Sequence, residues 1–172
     1  MRVLAIAVLA ATGCGAAADL LNGQGNCTAA VTGAVALPNV SCIASAGTDS
    51  NGSGNGAVAF NFTNPSGYQL VVGVGFSGAP AVKTYSNTDS GAKSGVEVIQ
   101  NGSAQTWAAL AGQPGANQGS YTLSITSLGS QVNNPDGGPG SVFLTVHGTL
   151  NATLPAITGT GASGTATMTA TF

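Results

Sequence analysis

Among the side chains in this 172-residue sequence from which nucleophilic, acid–base or metal chemistry could be built are three cysteines, one histidine and five acids. His147 is predicted to project from the polar face of a strand, beside Phe143 and Thr149, and no G-x-S-x-G nucleophile turn accompanies it. The acids Asp19, Asp49, Asp89, Glu97 and Asp136 are scattered along the chain. Neither a Ser-His-Asp relay nor a carboxylate pair therefore has a framework, and the chain is not expected to be an enzyme. Gly73-Val74-Gly75-Phe76-Ser77-Gly78 fits G-x-G-x-x-G after a strand. That motif works by aiming a helix N-terminus at a pyrophosphate, and here Ala79-Pro80 and more polar loop follow instead, so no nucleotide site is assigned. Asp49-Ser50-Asn51-Gly52-Ser53-Gly54 imitates the first half of a calcium loop, but the twelfth position, where a bidentate acid belongs, is Phe60. A weak calcium site at Asp49–Gly54 is the functional alternative to a plain hairpin loop, and no cofactor or metal is assigned.

The cysteines carry more information. Met1-Arg2 precedes nine apolar residues, Val3 to Ala11, which is the core of a signal peptide and too short for the ~20 residues of a permanent transmembrane helix. The stretch Ala10-Ala11-Thr12-Gly13-Cys14 resembles the lipobox of bacterial lipoproteins, with Ala11 standing where that family usually has Leu. The resemblance covers only the export segment. It implies that the Cys14 thiol receives a diacylglyceryl group, that cleavage falls just before it, and that Gly15 directs the protein to the outer membrane. The alternative is ordinary secretory cleavage after Ala16-Ala17-Ala18, releasing a soluble periplasmic or secreted protein that starts at Asp19. The expected organisation is thus a signal peptide over 1–13 (or 1–18), a lipidated N-terminus and linker over 14–26, and one domain over 27–172. With Cys14 lipidated or removed, Cys27 and Cys42 remain as a pair in an oxidising compartment, and a disulfide is expected; a metal pair or reactive thiol lacks a supporting histidine or third ligand.

Composition narrows the partners. Lys and Arg total 3 and Asp and Glu total 5, against 27 glycines and 43% hydrophobic residues. Only Lys83 and Lys93 follow the export segment, too few to neutralise phosphates, so nucleic acid is excluded. The hydrophobic content and low net charge argue for a folded domain rather than disorder.

The elements are strands. Apolar and polar residues alternate with period two over Ala57–Thr63, Tyr68–Phe76, Ser120–Leu128, Ser141–Leu154 and Thr165–Phe172. Val31, Val35 and Leu37 share a face of a first strand, which Pro38-Asn39 is predicted to turn back through Val40 and Cys42. Asn101-Gly102 predicts a two-residue hairpin after Val96–Gln100. Thr106–Ala111 is the one stretch where a short helix is expected. Polar, glycine-rich loops, Tyr85–Gly95 among them, separate eight or nine strands, which points to an all-β, antiparallel β-sandwich or jelly roll. Three further surface features are weighed. The alternating threonines of the last strand resemble the T-x-T faces of ice-binding proteins, but one strand is not a face and Thr simply favours sheets. Trp107, Tyr68, Tyr85 and Tyr121 could stack on sugars or belong to the core. Phe172, after alternate apolar residues, resembles the C-terminal signal of outer-membrane β-barrels. The functional expectation is a non-enzymatic envelope lipoprotein, attached to the membrane through its lipid, that meets a surface polymer or another envelope protein. A glycan-binding sandwich and a small membrane barrel are the alternatives.

Overall fold

The computed structural model describes residues 26–48, 55–63, 67–89, 91–111, 119–133, 141–143 and 145–172. Where β-branched, aromatic and small apolar residues alternate with Thr, Ser and Asn, the chain runs extended, one set of side chains inward and the other to solvent. The strands are β1 (Asn26–Gly33), β2 (Leu37–Thr48), β3 (Gly56–Phe62), β4 (Tyr68–Phe76), β5 (Thr84–Ser86), β6 (Lys93–Gln100), β7 (Thr106–Leu110), β8 (Ser120–Leu128), β9 (Gln131–Asn133), β10 (Ser141–Phe143), β11 (Val146–Pro155) and β12 (Thr165–Thr171). No helix occurs among the described residues. The all-β, antiparallel, single-domain architecture agrees with the expectation from sequence.

Ten strands form one antiparallel sheet in the order β5-β8-β11-β12-β1-β2-β3-β4-β6-β7, and the short β9–β10 hairpin joins it at β2. The sheet curls on itself into a half-barrel. Edge strand β7 returns to the chain just beyond β11, where Trp107 bridges Ala156, Ile157 N–H donates to Thr106 O at 2.8 Å, and the Trp107 indole donates to Ser163 O at 3.0 Å. The two layers of a sandwich are here opposing walls of one sheet. Between them lies a single apolar core in which Leu123, Leu150, Leu154 and Met168 are fully buried, each burial contributing about 1.5–3 kcal/mol.

Five local expectations are corrected. The first hairpin turns after Gly33 (φ 88°), not at Pro38-Asn39. Pro38 and Asn39 lie within β2, opposite the single residue Ala30, because the register moves from Ala29↔Val40 to Val31↔Leu37. This bulge accommodates the amide hydrogen that Pro38 lacks, and Asn39 takes the left-handed conformation at φ 57°. Thr106–Leu110 is strand β7, held to β6 by the ladder from Gly95↔Leu110 to Ile99↔Thr106, which overrides the helical preference of its Ala and Leu residues. The alternating run Ser141–Leu154 is two strands, β10 pairing β2 and β11 pairing β8 and β12. The β6–β7 connection spans four residues rather than two, since Gln100 N–H donates to Gln105 O at 2.8 Å outside Asn101–Ala104. Within the expected loop Tyr85–Gly95, Tyr85 and Ser86 belong to β5, and β6 begins at Lys93.

Candidate functional site

Cys27 and Cys42 stand directly opposite one another on β1 and β2 and are joined by a disulfide. Their Cα atoms are 4.6 Å apart, the spacing of a non-hydrogen-bonded antiparallel pair, and both side chains are buried. Cys14, the Ala16–Ala18 alternative cleavage site, the Asp49–Gly54 loop, Asp19 and Asp136 lie outside the described residues.

Among the described residues the remaining carboxylates and His147 lie on separate elements. Among the described residues no three His, Cys, Asp or Glu side chains come together as a metal site. His147 is exposed on the outer side of β11, opposite Ser127 of β8. Glu97 is half-buried on β6, and burial raises its carboxyl above the usual range. Asp89 closes the turn after β5, accepting from Ser86 N–H at 2.7 Å and from the Ser86 hydroxyl at 3.0 Å. Gly73 and Gly75 lie within β4, paired to β3 and β6, and the chain from Ser77 runs through turns into β5 rather than into a helix.

Three of the four aromatic candidates are core residues: Trp107, Tyr85 and Tyr121 are buried, and only Tyr68 is half-exposed. They form no platform for stacking on a sugar. Tyr85 stacks on Phe76 with centroids 3.8 Å apart, and its hydroxyl accepts from Ala81 N–H at 2.9 Å. Lys83 covers the Tyr85 ring with its ammonium 4.7 Å from the centroid. Asn87 acts as a peptide mimic at the start of β8, its amide donating to Gly119 O at 2.9 Å and accepting from Tyr121 N–H at 3.3 Å.

Tyr121 has the one buried side-chain polar atom among the described residues with no hydrogen-bond partner, its phenol oxygen. Burial, reinforced by the negative charge of Asp89, pushes this phenol up to about 12. The folded protein therefore holds the proton more tightly than the unfolded chain, whose tyrosines titrate near ~10. The resulting stability is fully present below pH ~10 and is lost as the pH rises towards ~12. Tyr121→Phe is expected to remove this alkaline slope and, at neutral pH, to leave stability unchanged or raise it by about 1 kcal/mol, because an unpartnered buried hydroxyl is deleted. Denaturant melts at pH 7 and pH 11 check both; a loss exceeding ~1 kcal/mol at pH 7 would mean that the hydroxyl has a stabilising partner.

The most extended polar feature is the outer face of β5, β8, β11, β12 and β1. Register places hydroxyl-bearing residues side by side: Thr84 of β5 opposes Ser124, Ser124 opposes Thr149, Thr149 opposes Thr171, and Thr171 opposes Thr28. Parallel to this row, Ser86, Thr122, Asn151 and Thr169 form a second. Ser120, Thr153, Thr167 and Thr32 form a third. Neighbours within a row are about 4.8 Å apart and successive rows about 6.7 Å apart, from strand geometry. The Thr84 and Ser124 hydroxyls are hydrogen-bonded at 2.9 Å. Read from sequence, the threonines of the last strand stood alone. Their neighbours come from strands distant along the chain, so this face was visible only once strand order and register were known. No protein-family model matches the chain, and neither a curated protein nor a solved structure shows significant similarity to it.

Proposed function

We propose that this chain is a cell-envelope lipoprotein, tethered through Cys14, whose curled β-domain has a non-enzymatic structural or interaction role. The observation that carries this reading is the Cys27–Cys42 disulfide, which forms and persists in oxidising compartments and so fits an exported domain. The lipobox-like Ala10-Ala11-Thr12-Gly13-Cys14 supplies the tether. A membrane-spanning barrel is disfavoured by the distribution of polarity. Such a barrel turns apolar residues to lipid, whereas here the outer faces of β8, β11 and β12 carry Ser, Thr, Asn and His and the inner faces carry Leu, Ile and Met.

Metabolic labelling with a fatty acid tests the tether. The wild-type chain is expected to take up label and fractionate with membranes, and Cys14→Ala to do neither. Label retained by Cys14→Ala, or an unlabelled wild-type protein beginning at Asp19, would replace the lipoprotein reading with soluble secretion.

A further inference from the structure

We propose that Asn101 is a site of spontaneous covalent modification, at which the Gly102 amide nitrogen closes on the Asn101 side chain and converts it, through a cyclic imide, to aspartate and isoaspartate. Both residues lie in the β6–β7 connection, where Asn101 is exposed and Gly102 takes φ 84°. Ring closure requires a free side-chain amide and a free peptide nitrogen after it. Among the described residues, neither the Asn101 side chain nor the Gly102 N–H makes a hydrogen bond. Only the Asn101 main-chain N–H is held, donating to Gly67 O at 2.9 Å. That bond anchors the residue while leaving its side chain and the next peptide nitrogen to solvent. Beyond the chain neighbours of Gly102, no atom lies within 4 Å of the place a Cβ would take there, so the approach to its nitrogen is unshielded on that side.

The step needs only water, as base and then as nucleophile. The Gly102 nitrogen gives its proton to solvent and bonds to Asn101 Cγ; the Cγ–Nδ2 bond then breaks and the side-chain nitrogen departs as ammonia. Water opens the imide ring at Cγ, giving aspartate, or at the main-chain carbonyl carbon of Asn101, giving isoaspartate, whose backbone runs through Cβ. The net change replaces an amide NH₂ by OH, and no electrons are transferred. The fold sets Asn101 apart from other asparagines. Asn55 also precedes a glycine, but Gly56 is buried within β3 between Thr48 and Phe76. A Cβ on Gly56 would lie 2.6 Å from both Gly78 O and the Phe76 ring, so this backbone has no room to swing onto the side chain before it. Asn87 precedes Thr88, and its amide is engaged by Gly119 O and Tyr121 N–H. Asn39, Asn61 and Asn151 lie in strands and precede Val40, Phe62 and Ala152, whose Cβ atoms shield the nitrogen. Conversion at Asn101 leaves the ladder intact, because Gln100 N–H donating to Gln105 O closes the strands inside the connection, and the extra methylene of isoaspartate falls within Asn101–Ala104. The new carboxylate joins only five acids and adds one negative charge to a formal net charge of -2, so the domain exists in two charge forms.

The test is incubation of the folded full chain, in detergent, at neutral and mildly alkaline pH, followed by isoelectric focusing, peptide mapping of each asparagine and methyltransferase labelling of isoaspartate. Asn101 is expected to lose its amide at least about tenfold faster than Asn55 in the folded protein, and the two to convert at similar rates in denaturant. Conversion should speed up at alkaline pH, because the attacking nitrogen must lose its proton, and isoaspartate should be among the products. Gly102→Ala should slow the loss at Asn101 by about tenfold by placing a Cβ beside the nitrogen. Asn101→Gln, whose longer side chain disfavours ring closure, leaves the Gly102 turn untouched and should abolish the acidic form, which gives a second reading should alanine distort the loop. Asn22 and Asn51, which also precede glycines, lie outside the described residues and are read as separate peptides. The proposal is overturned if Asn101 keeps its amide in the folded protein while the denatured chain loses it, or if Asn55 and Asn101 convert equally fast in the folded protein. It is overturned equally if Gly102→Ala and Asn101→Gln convert as fast as wild type, or if aspartate forms without isoaspartate, which would mean direct hydrolysis by water.

Discussion

Replacing Cys27 and Cys42 together by alanine is expected to destabilise the domain by about 3 kcal/mol or more and to lower its melting temperature by about 10 °C. The cross-link spans 15 residues, a separation for which the loss of chain entropy in the unfolded state accounts for about 3 kcal/mol. Its position adds consequence. Strand β1 is paired with β12 on one side and β2 on the other, so it joins the half of the sheet that carries the hydroxyl rows to the half formed by β2, β3, β4, β6 and β7. Fraying at β1 would separate both pairings at once, and the disulfide pins its first residues to β2. Treating the wild-type protein with reductant removes the cross-link while leaving two buried sulfurs in place, and the alanine pair removes both. The reduced wild type is therefore expected to melt between the oxidised protein and the double variant. If oxidised and reduced proteins melt together, the bond contributes nothing to the fold.

Legibility in the sequence follows the strength of the local pattern. Strands β4 and β8 coincide with the alternating runs Tyr68–Phe76 and Ser120–Leu128, because five and three large apolar residues there leave one register that turns them all to the inner face. The disulfide was legible from cysteine count and export context. Pairing partners were not. β1 lies beside β12 at the far end of the chain, and β8 beside both β5 and β11, relations set by the curl of the whole sheet and by no local signal. Pro38-Asn39 reads as a turn because both residues favour turns, yet a bulge satisfies the same backbone demands inside a strand. Whether the aromatic candidates stack on sugars or belong to the core was open in the sequence for a related reason. Tyr and Trp are amphipathic, and only the neighbouring strands decide whether a ring is buried, as the Trp107 indole is with its N–H on Ser163 O.

Phe172→Ala is expected to cost about 3–5 kcal/mol, and this result bears on the most ambiguous feature of the sequence. Alternation by itself does not say which set of side chains faces inward. If Ala166, Met168, Ala170 and Phe172 faced lipid, the threonines between them would line a polar interior; in the curled sheet the assignment is reversed, with the apolar set buried and Thr165, Thr167, Thr169 and Thr171 exposed. Phe172 is only 5% exposed and meets Phe60 edge-on, centroids 5.0 Å apart and planes at 88°. Its backbone is paired too, Gly148 N–H donating to Phe172 O at 2.7 Å and Phe172 N–H to Gly148 O at 3.0 Å. Gly148 explains how the ring fits. A Cβ there would strike the Ser124 carbonyl and come within 2.8 Å of the Phe172 ring, so the glycine leaves room that the ring occupies. Truncating the ring opens a cavity beside a residue with no side chain to fill it, and the edge-on pair with Phe60 is lost as well, a contact worth about 0.5–1.5 kcal/mol beyond its area. Phe172→Leu, which keeps most of the volume, should cost about 1–2 kcal/mol. Urea melts of the two variants measure the difference. An inward ring predicts a graded loss, Leu smaller than Ala, in the absence of any membrane mimetic. A ring facing outward predicts that both variants stay within ~0.5 kcal/mol of wild type in water, and that outcome would reverse the assignment of inside and outside for β12 and with it the hydroxyl face.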